Sequence, residues 1–280
     1  MKYFYLIIIL ITSFSCSGNR QNEQTNGKKN NAAIERLVLA EFQQILDSSN
    51  VEGSILIYDP QTAIFYSNDF QWAALGKLPA STFKIPNSII ALETEVVEND
   101  STLFIWNGEK RNLSIWEQDL LFKDAFRFSC VPCYQDIARK IGEKRMKEYL
   151  SNLKYGNMVF DSTNIDLFWL VGDSEINQFE QIDFLSRLHY SKLPISGKTD
   201  RIMKRLMILD NNQSYCLSGK TGWSVRNGHN NGWFVGYLEI KEKVYFFAVN
   251  IDPKEKFNMQ LFSKIRKEIT MNAFKKLNLI

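Results

Sequence analysis

The stretch Pro79-Ala80-Ser81-Thr82-Phe83-Lys84 decides the fold that we expect for this chain. An apolar run at helical spacing follows it, so Ser81 is predicted at the start of a helix with Lys84 one turn further on. Residues three positions apart share a helix face, which brings the hydroxyl and the amine together. A lysine amine activates a serine only when burial suppresses its charge. The backbone N–H groups of a helix start also favour a developing oxyanion.

A second feature gives this pattern its meaning, because a serine three residues before a lysine also describes an ordinary helix cap. Lys220-Thr221-Gly222 follows the strand-like segment 215–217 and precedes a turn predicted at Asn227-Gly228. On a strand that borders a cleft, these residues offer a cation and a hydroxyl to an anionic substrate, and the glycine lets that substrate approach closely. Both elements in this order are typical of penicillin-binding proteins and serine β-lactamases.

The remaining periodicity predicts an α/β fold of the α+β type. A helix is expected over 33–47 and strands over 54–58 and 63–66, helical patterns dominate 81–214, strands return over 232–240 and 244–251, and a helix is expected over 259–277. Within the central part, 134–150 and 180–188 have helical spacing. Strands at both ends of the chain therefore predict one antiparallel sheet flanked by terminal helices, with a helical lobe built by the middle.

The N-terminal residues have the composition of an export signal. A lysine-led apolar run fills residues 1–16, a polar tract without apolar side chains covers most of 17–32, and the folded domain is expected over 33–280. Cys16 is a candidate lipidation site, and cleavage without a lipid is the alternative. The net charge of +3 is scattered along the 280 residues rather than clustered, which argues against nucleic-acid binding.

The cysteines and histidines limit the chemistry further. With Cys16 set aside, Cys130, Cys133 and Cys216 remain, an odd number that cannot form a complete disulfide framework. The two histidines stand far apart outside any metal-binding pattern, so we expect no metal. Cys130 and Cys133 have the spacing of thiol oxidoreductases, but their surroundings are helical; simple packing or an incidental disulfide is the expected explanation, and the sequence does not choose between them.

From the helix near residue 34 to Ile280, the chain resembles the class D (oxacillinase-type) serine β-lactamases. The matching segments are Pro79–Asn87, Ser129–Val131, Tyr155–Asn157, Phe168–Leu170, Lys220–Gly222, Gly232–Tyr237 and Arg266. The resemblance implies the penicillin-recognising fold, with the active site between the sheet and the helical lobe. It also implies hydrolysis of penicillin-type antibiotics through an acyl-enzyme, and antibiotic resistance as the result.

The resemblance assigns catalytic roles to Ser81, Lys84, Ser129 and Trp169. Ser81 is the nucleophile, and Lys84 is its base after reaction with carbon dioxide to give N6-carboxylysine; carbon dioxide or bicarbonate is the only cofactor implied. Val131, Phe83 and Trp169 are expected to keep the amine dry, and the indole N–H of Trp169 to hold a carbamate oxygen. Ser129 passes the proton to the departing lactam nitrogen.

The resemblance also implies which residues bind substrate. Backbone N–H groups of Ser81 and Trp223 form the oxyanion hole, and Gly222 belongs to the same substrate-binding strand. Thr221 and Arg266 bind the substrate carboxylate, while Lys220 supports both sites by its charge.

Location, assembly and alternative functions stay open at this point. We expect export to the periplasm, with a membrane anchor if Cys16 carries lipid, and either a monomer or a homodimer. A β-lactam sensor that stops at the acyl-enzyme is the main alternative, although such receptors carry several membrane spans and this chain has a single export signal. A cell-wall transpeptidase or carboxypeptidase would lack the match at Phe168–Leu170.

Overall fold

A central seven-stranded sheet organises the fold in the computed structural model, which describes residue 1 and residues 34–280. The strand order is β1-β3-β2-β9-β8-β7-β6, and a separate two-stranded sheet joins β4 to β5. The strands are β1 (Glu35–Val38), β2 (Val51–Asp59), β3 (Ile64–Ser67), β4 (Leu103–Phe104), β5 (Leu120–Leu121), β6 (Ile208–Asn211), β7 (Cys216–Arg226), β8 (His229–Ile240) and β9 (Lys243–Pro253). The signal and linker expected over 1–16 and 17–32, and Cys16 with them, lie outside the described residues apart from residue 1.

Helices cover both faces of the large sheet. They are α1 (Ala40–Ser48), α2 (Phe70–Ala73), α3 (Lys84–Glu93), α4 (Phe122–Arg127), α5 (Val131–Ile141), α6 (Glu143–Leu153), α7 (Gln178–His189), α8 (Gly197–Met207) and α9 (Phe262–Lys276). Short 3₁₀ helices are formed by Ala80–Phe83, Ser114–Trp116 and Met259–Leu261. Of the helices in the described part of the chain, none combines the length and the apolar character that a membrane crossing requires.

The sheet separates two hydrophobic cores, because successive side chains of a strand point to opposite faces. On β9, Phe246 and Ala248 contribute to the core beneath the helical lobe. Their neighbours Phe247 and Val249 contribute to the core beneath α1 and α9. Strands buried on both faces have no polar alternation, which explains the nearly continuous apolar sequence of this strand. The predicted arrangement of sheet, terminal helices and helical lobe is confirmed.

Two details of the prediction were wrong. Residues 35–38, expected in the first helix, form β1, which pairs in parallel with β3; the other five neighbouring pairs of the large sheet are antiparallel, so the sheet is mixed. Pairing with an exposed sheet edge outweighed the helical spacing of these residues. The helix expected over 134–150 is two helices, since Gly142 at φ 79° ends α5 before α6 begins.

The turn predicted at Asn227-Gly228 joins β7 to β8. Both residues have positive φ, 50° and 79°, as a two-residue hairpin turn requires. This tight connection fixes the register in which Lys220 lies opposite Val235, and Gly222 lies opposite Trp233.

Candidate active site

Ser81 lies in the short 3₁₀ helix that leads directly into α3, whose first residue is Lys84. Nζ of Lys84 donates a hydrogen bond of 3.1 Å to Oγ of Ser81. Ala80, just before the serine, has φ 50°, a left-handed backbone that a residue with a Cβ seldom adopts. The chain thus makes a sharp entry into the helix, and the predicted pairing of hydroxyl and amine is present.

The side chain of Lys84 has no exposed surface. Burial lowers its pKa to about 7, since removal of water disfavours the charged amine. Nζ also lies 5.0 Å from the ring centre of Tyr134, and no carboxylate in the described residues forms an ion pair with it. An uncompensated buried amine is costly to a folded protein, so this arrangement favours a chemical role.

Phe83 and Trp169 stack on each other, with ring centres 5.2 Å apart and planes inclined by 16°. Both side chains are entirely buried, as the predicted dry wall requires. Nε1 of Trp169 is buried and donates to no protein acceptor among residues 34–280. Because buried N–H groups are almost always satisfied, this donor is suited to an added acceptor such as a carboxyl group. Val131, the first residue of α5, is half-buried against the same core.

Ser129 stands at the junction of α4 and α5 with φ 53°. Nζ of Lys220 donates a hydrogen bond to its Oγ and a second, of 3.2 Å, to the carbonyl oxygen of Thr221. Lys220 is buried, and its pKa is lowered by desolvation, then by repulsion from Lys84 and other nearby cations. This contact joins the helical lobe to β7 across the site, which the sequence could not reveal.

Strand β7 packs against the 3₁₀ helix that carries Ser81, and it has a free edge there. Strand β6 pairs with β7 only over Cys216–Ser218, so Gly219 to Arg226 leave that edge open. A methyl group at Gly222 would lie 3.0 Å from the carbonyl oxygen of Pro79 and 3.3 Å from Cβ of Ala80. The glycine of the Lys-Thr-Gly pattern therefore has a packing role as well, because it lets the strand lie against the segment that carries Ser81.

Arg266 reaches the site from α9 and is almost fully buried. Its Nη1 donates to the carbonyl oxygen of Gly222, Nε donates to that of Phe262 at 3.0 Å, and Nη2 donates to that of Ser263 at 3.3 Å. Burial lowers its pKa to about 10, which leaves it charged at neutral pH. A guanidinium has five N–H donors, so two remain for a ligand.

Trp223 and Thr221 are the other residues of β7 for which the resemblance implies a role in substrate binding. Trp223 is 37% exposed, and its Nε1 donates 2.9 Å to Oδ1 of Asn230. Thr221 is half-buried and lines a groove next to the site. The oxyanion hole expected from the backbone N–H groups of Ser81 and Trp223 stays a prediction, as do the assigned roles of all these residues.

Sequence reasoning missed a buried hydrogen-bond network next to Ser81. Nε2 of Gln181, on α7, donates hydrogen bonds to Oγ1 of Thr82, at 3.0 Å, and to the hydroxyl oxygen of Tyr155, at 3.3 Å. Thr82 in turn donates 2.6 Å to the carbonyl oxygen of Pro79. The available signal was a glutamine on the apolar face of a predicted helix, where a polar side chain needs a partner.

Cys130 and Cys133 form a disulfide that encloses Val131, and Cys130 directly follows Ser129. Cys216 is the free cysteine of the described residues. The alternative that the sequence left open is therefore settled in favour of a disulfide. Within residues 34–280, no three His, Cys, Asp or Glu side chains converge as a metal site requires.

Comparison with known proteins agrees with this geometry. Residues 53–275 match the family model of the penicillin-binding protein transpeptidase domain. β-Lactamase OXA-48 of Klebsiella pneumoniae is 39% identical over 218 residues, which are 78% of this chain and 82% of that protein. β-Lactamase OXA-10 of Pseudomonas aeruginosa is 35% identical over 274 residues, 96% and 97% of the two chains.

The chain is also similar to solved structures of class D β-lactamases. The class D β-lactamase of Sebaldella termitidis superposes with a TM-score of 0.83 at 40% identity, covering 88% of this chain and 98% of that one. The class D enzyme YbXI from Nostoc superposes with a TM-score of 0.81 at 42% identity, covering 85% and 99%. The chain therefore belongs to the penicillin-binding transpeptidase family and, within it, to the class D serine β-lactamases.

Proposed function

We propose that this protein hydrolyses the amide bond of β-lactam antibiotics through an acyl-enzyme on Ser81. The observation that carries the proposal is the hydrogen bond of 3.1 Å between the hydroxyl of Ser81 and the fully buried amine of Lys84. The named relatives, OXA-48 and OXA-10, are β-lactamases, which supports the same substrate class. Resistance to penicillin-type antibiotics is the expected consequence.

The chemistry proceeds in two steps. Oγ of Ser81 attacks the lactam carbonyl carbon, the ring C–N bond breaks, and the serine proton ends on the ring nitrogen. Water then attacks the resulting ester, which releases the ring-opened acid and restores the hydroxyl. Both steps need a base beside Ser81, and the position of Lys84 suits that role.

Lys84 is the proposed site of carbamylation, in which a neutral amine joins carbon dioxide and releases one proton. With a pKa of about 7, about half of the Lys84 amines are neutral at pH 7. An ordinary lysine, with a pKa of about 10.4, is neutral in roughly one molecule in 2,500 at that pH. The unsatisfied N–H of Trp169 and the stacked rings fit an added carboxyl group. When bound, that group supplies the base for both steps.

Ser129 and Lys220 are proposed to deliver the proton to the leaving nitrogen. The ammonium of Lys220 already donates to Oγ of Ser129, which leaves the serine hydroxyl hydrogen free to point toward the substrate. The lowered pKa of Lys220, due to burial and nearby cations, eases release of a proton through this pair. Thr221 and the free donors of Arg266 hold the substrate carboxylate.

Export belongs to the same proposal. The apolar leader over 1–16 indicates secretion to the periplasm, where β-lactams would meet the enzyme before their targets. Whether Cys16 then carries a lipid anchor is tested by metabolic labelling with a fatty acid in wild type and in Cys16→Ala.

A turnover assay with a chromogenic cephalosporin tests the function. The wild type is expected to turn over many times, Ser81→Ala not at all, and Lys84→Ala to lose both steps, whereas exposed Lys264→Ala stays active. A single stoichiometric burst without further turnover would contradict hydrolysis and would support the function of a β-lactam sensor.

Carbamylation is tested by a separate readout. Acid treatment under a carbon-dioxide-free atmosphere should remove activity at neutral pH, and bicarbonate should restore it. ¹³C-labelled bicarbonate should give one carbamate signal in the NMR spectrum of the wild type and none in Lys84→Ala. A signal that persists in this variant would refute the assignment to Lys84.

A further inference from the structure

A cationic groove adjoins the site on the side of Lys220 and Thr221. It has a volume of about 750 Å³ and lies between the end of α4, the junction of α8 and β6, and Lys267 on α9. Its rim includes Arg127 and Phe128, which directly precede Ser129. The groove is therefore continuous with the residues proposed to bind the leaving part of the substrate.

The charges along this groove are unbalanced. Five cations line it against two carboxylates, Asp100 and Asp124, and Asp100 is already paired with Arg205 at 2.9 Å. Arg127, Lys267 and Lys123 take part in no ion pair within the described ranges. An excess of unpaired positive charge in a concave surface attracts anions.

Mutual repulsion connects the groove to the site. The pKa of Lys267 is lowered by desolvation and then by repulsion from Arg266 and Arg127. Lys267 in turn contributes to the lowered pKa of Lys220, which contacts Ser129. An anion placed between Arg127 and Lys267 would relieve this repulsion, and the substrate's own carboxylate is already assigned to Arg266 and Thr221.

We propose that Arg127 and Lys267 form a subsite for a second anionic group, carried by the ring that leaves with the lactam nitrogen. This inference rests on the proposed β-lactam hydrolysis. In the proposed mechanism the leaving nitrogen lies next to Ser129 and Lys220, and Thr221 holds the ring carboxylate. A substituent next to this carboxylate would therefore extend past Thr221 into the groove that Thr221 lines. Leu206 and the exposed Leu209 also line it and supply apolar contact for an aromatic arm. The preferred substrates are thus cephalosporins with an acidic C3 substituent.

A matched pair of substrates tests the subsite. The two cephalosporins share the 7-acyl group and a C3 tetrazolylthiomethyl arm, but the tetrazole of one carries a methyl group and that of the other a sulfomethyl group. The readout is the ratio of kcat/KM, sulfomethyl over methyl. At low ionic strength the wild type is expected to give a ratio of about five, since each exposed charge pair contributes a few-fold. In about 0.5 M sodium chloride the Debye length is on the order of 4 Å, so the charge pairs are screened. The ratio should then fall toward one.

Variants separate the subsite from general effects. Arg127→Gln combined with Lys267→Gln should bring the ratio to about one, and Lys267→Glu should bring it below one. Lys275→Gln, on the same helix but outside the groove, removes one charge as a control and should keep the wild-type ratio. Two outcomes would overturn the subsite alone. In the first, the wild type turns over both compounds with a ratio of one; in the second, the double variant has the same ratio as the wild type. Turnover of a penicillin but of neither cephalosporin would also overturn the subsite alone. If neither the two cephalosporins nor a penicillin were turned over, the proposed hydrolysis and the subsite with it would be overturned.

Discussion

Gly232 leaves the space that the side chain of Arg266 occupies. A methyl group at residue 232 would lie 2.8 Å from Cδ of Arg266 and 2.8 Å from Cζ of Phe262. The glycine on β8 thus allows an arginine from α9 to pass and to donate to the carbonyl oxygen of Gly222 on β7. The β7–β8 hairpin and helix α9, which follows it in the chain after β9, are thus fixed together at the proposed carboxylate site.

Gly232→Ala should therefore displace Arg266 and weaken substrate binding. We expect KM to rise about tenfold with a smaller change in kcat, because a charge-assisted contact to the bound substrate is lost. Steady-state kinetics of a penicillin measures both constants. Gly197→Ala, at the start of α8, is the control, since its methyl group would meet only the flexible end of Arg201, at 3.3 Å. A folded Gly232→Ala enzyme with wild-type KM would contradict this role of Arg266.

Trp169→Phe should make activity dependent on added bicarbonate. Phenylalanine keeps an aromatic ring against Phe83 but removes the N–H that has no acceptor among the described residues. A hydrogen bond to a charged group contributes about 1.5–3 kcal/mol, so half-maximal activity should need roughly 10- to 150-fold more bicarbonate.

The measurement is a bicarbonate titration of initial rates. Trp72→Phe is the matched control, because its indole donates at 3.0 Å to Oδ1 of Asn250 and has no assigned role in carbamylation. An identical titration curve for Trp169→Phe and the wild type would remove Trp169 from the carbamate site.

Lys84→Met should abolish turnover and stabilise the protein at acidic pH. The folded-state pKa of Lys84 is about 7, below its ordinary value of 10.5. Between these values the unfolded chain binds one more proton, so the contribution of Lys84 to the free energy of unfolding rises with pH. Below pH about 7 the wild type bears the full cost of a buried charge, at most about 5 kcal/mol.

Chemical denaturation in carbon-dioxide-free buffer measures this difference. Lys84→Met should unfold at higher denaturant concentration than the wild type at pH 6, and the two proteins should converge toward pH 10. Added bicarbonate at pH 8 should narrow the gap. Equal stability at pH 6 would show that the amine of Lys84 is well solvated.

Replacing both cysteines of the disulfide, Cys130→Ala with Cys133→Ala, should lower stability and activity together. Closure of so short a loop contributes about 2 kcal/mol in the chain-entropy view. The disulfide loop also contains Val131, and it directly follows Ser129. The positive φ of Ser129 is an unfavourable backbone conformation that persists only when the neighbouring structure is rigid. Thermal unfolding and kcat are the readouts, each with and without a thiol reductant.

Cys216→Ala serves as the control, since Cys216 is the free cysteine of the described residues. The reductant should destabilise the wild type and Cys216→Ala but leave the double variant unchanged. If the double variant matched the wild type in stability and in kcat, the disulfide would have no part in positioning Ser129.

Local patterns were sufficient for much of the fold and for the pairing of Ser81 with Lys84. Helical spacing after Ser81 predicted α3, and the Asn-Gly pair predicted the turn that joins β7 to β8, because both depend on nearby residues. The same reasoning was wrong for residues 35–38, which pair with β3 instead of forming a helix. The paired residues are 29 positions apart in the sequence, as in the pair of Glu35 with Ile64. The sequence could not rank that distant pairing against a local helix.

By itself, the sequence determined which groups can react: a serine one helical turn before a lysine, and a Lys-Thr-Gly strand. The tertiary structure alone decided that Lys84 is buried, that Lys220 contacts Ser129, and that Arg266 reaches Gly222. The physical reason is that reactivity here depends on exclusion of water and on fields from several charges. Both arise only when strands and helices from opposite ends of the chain pack around one amine.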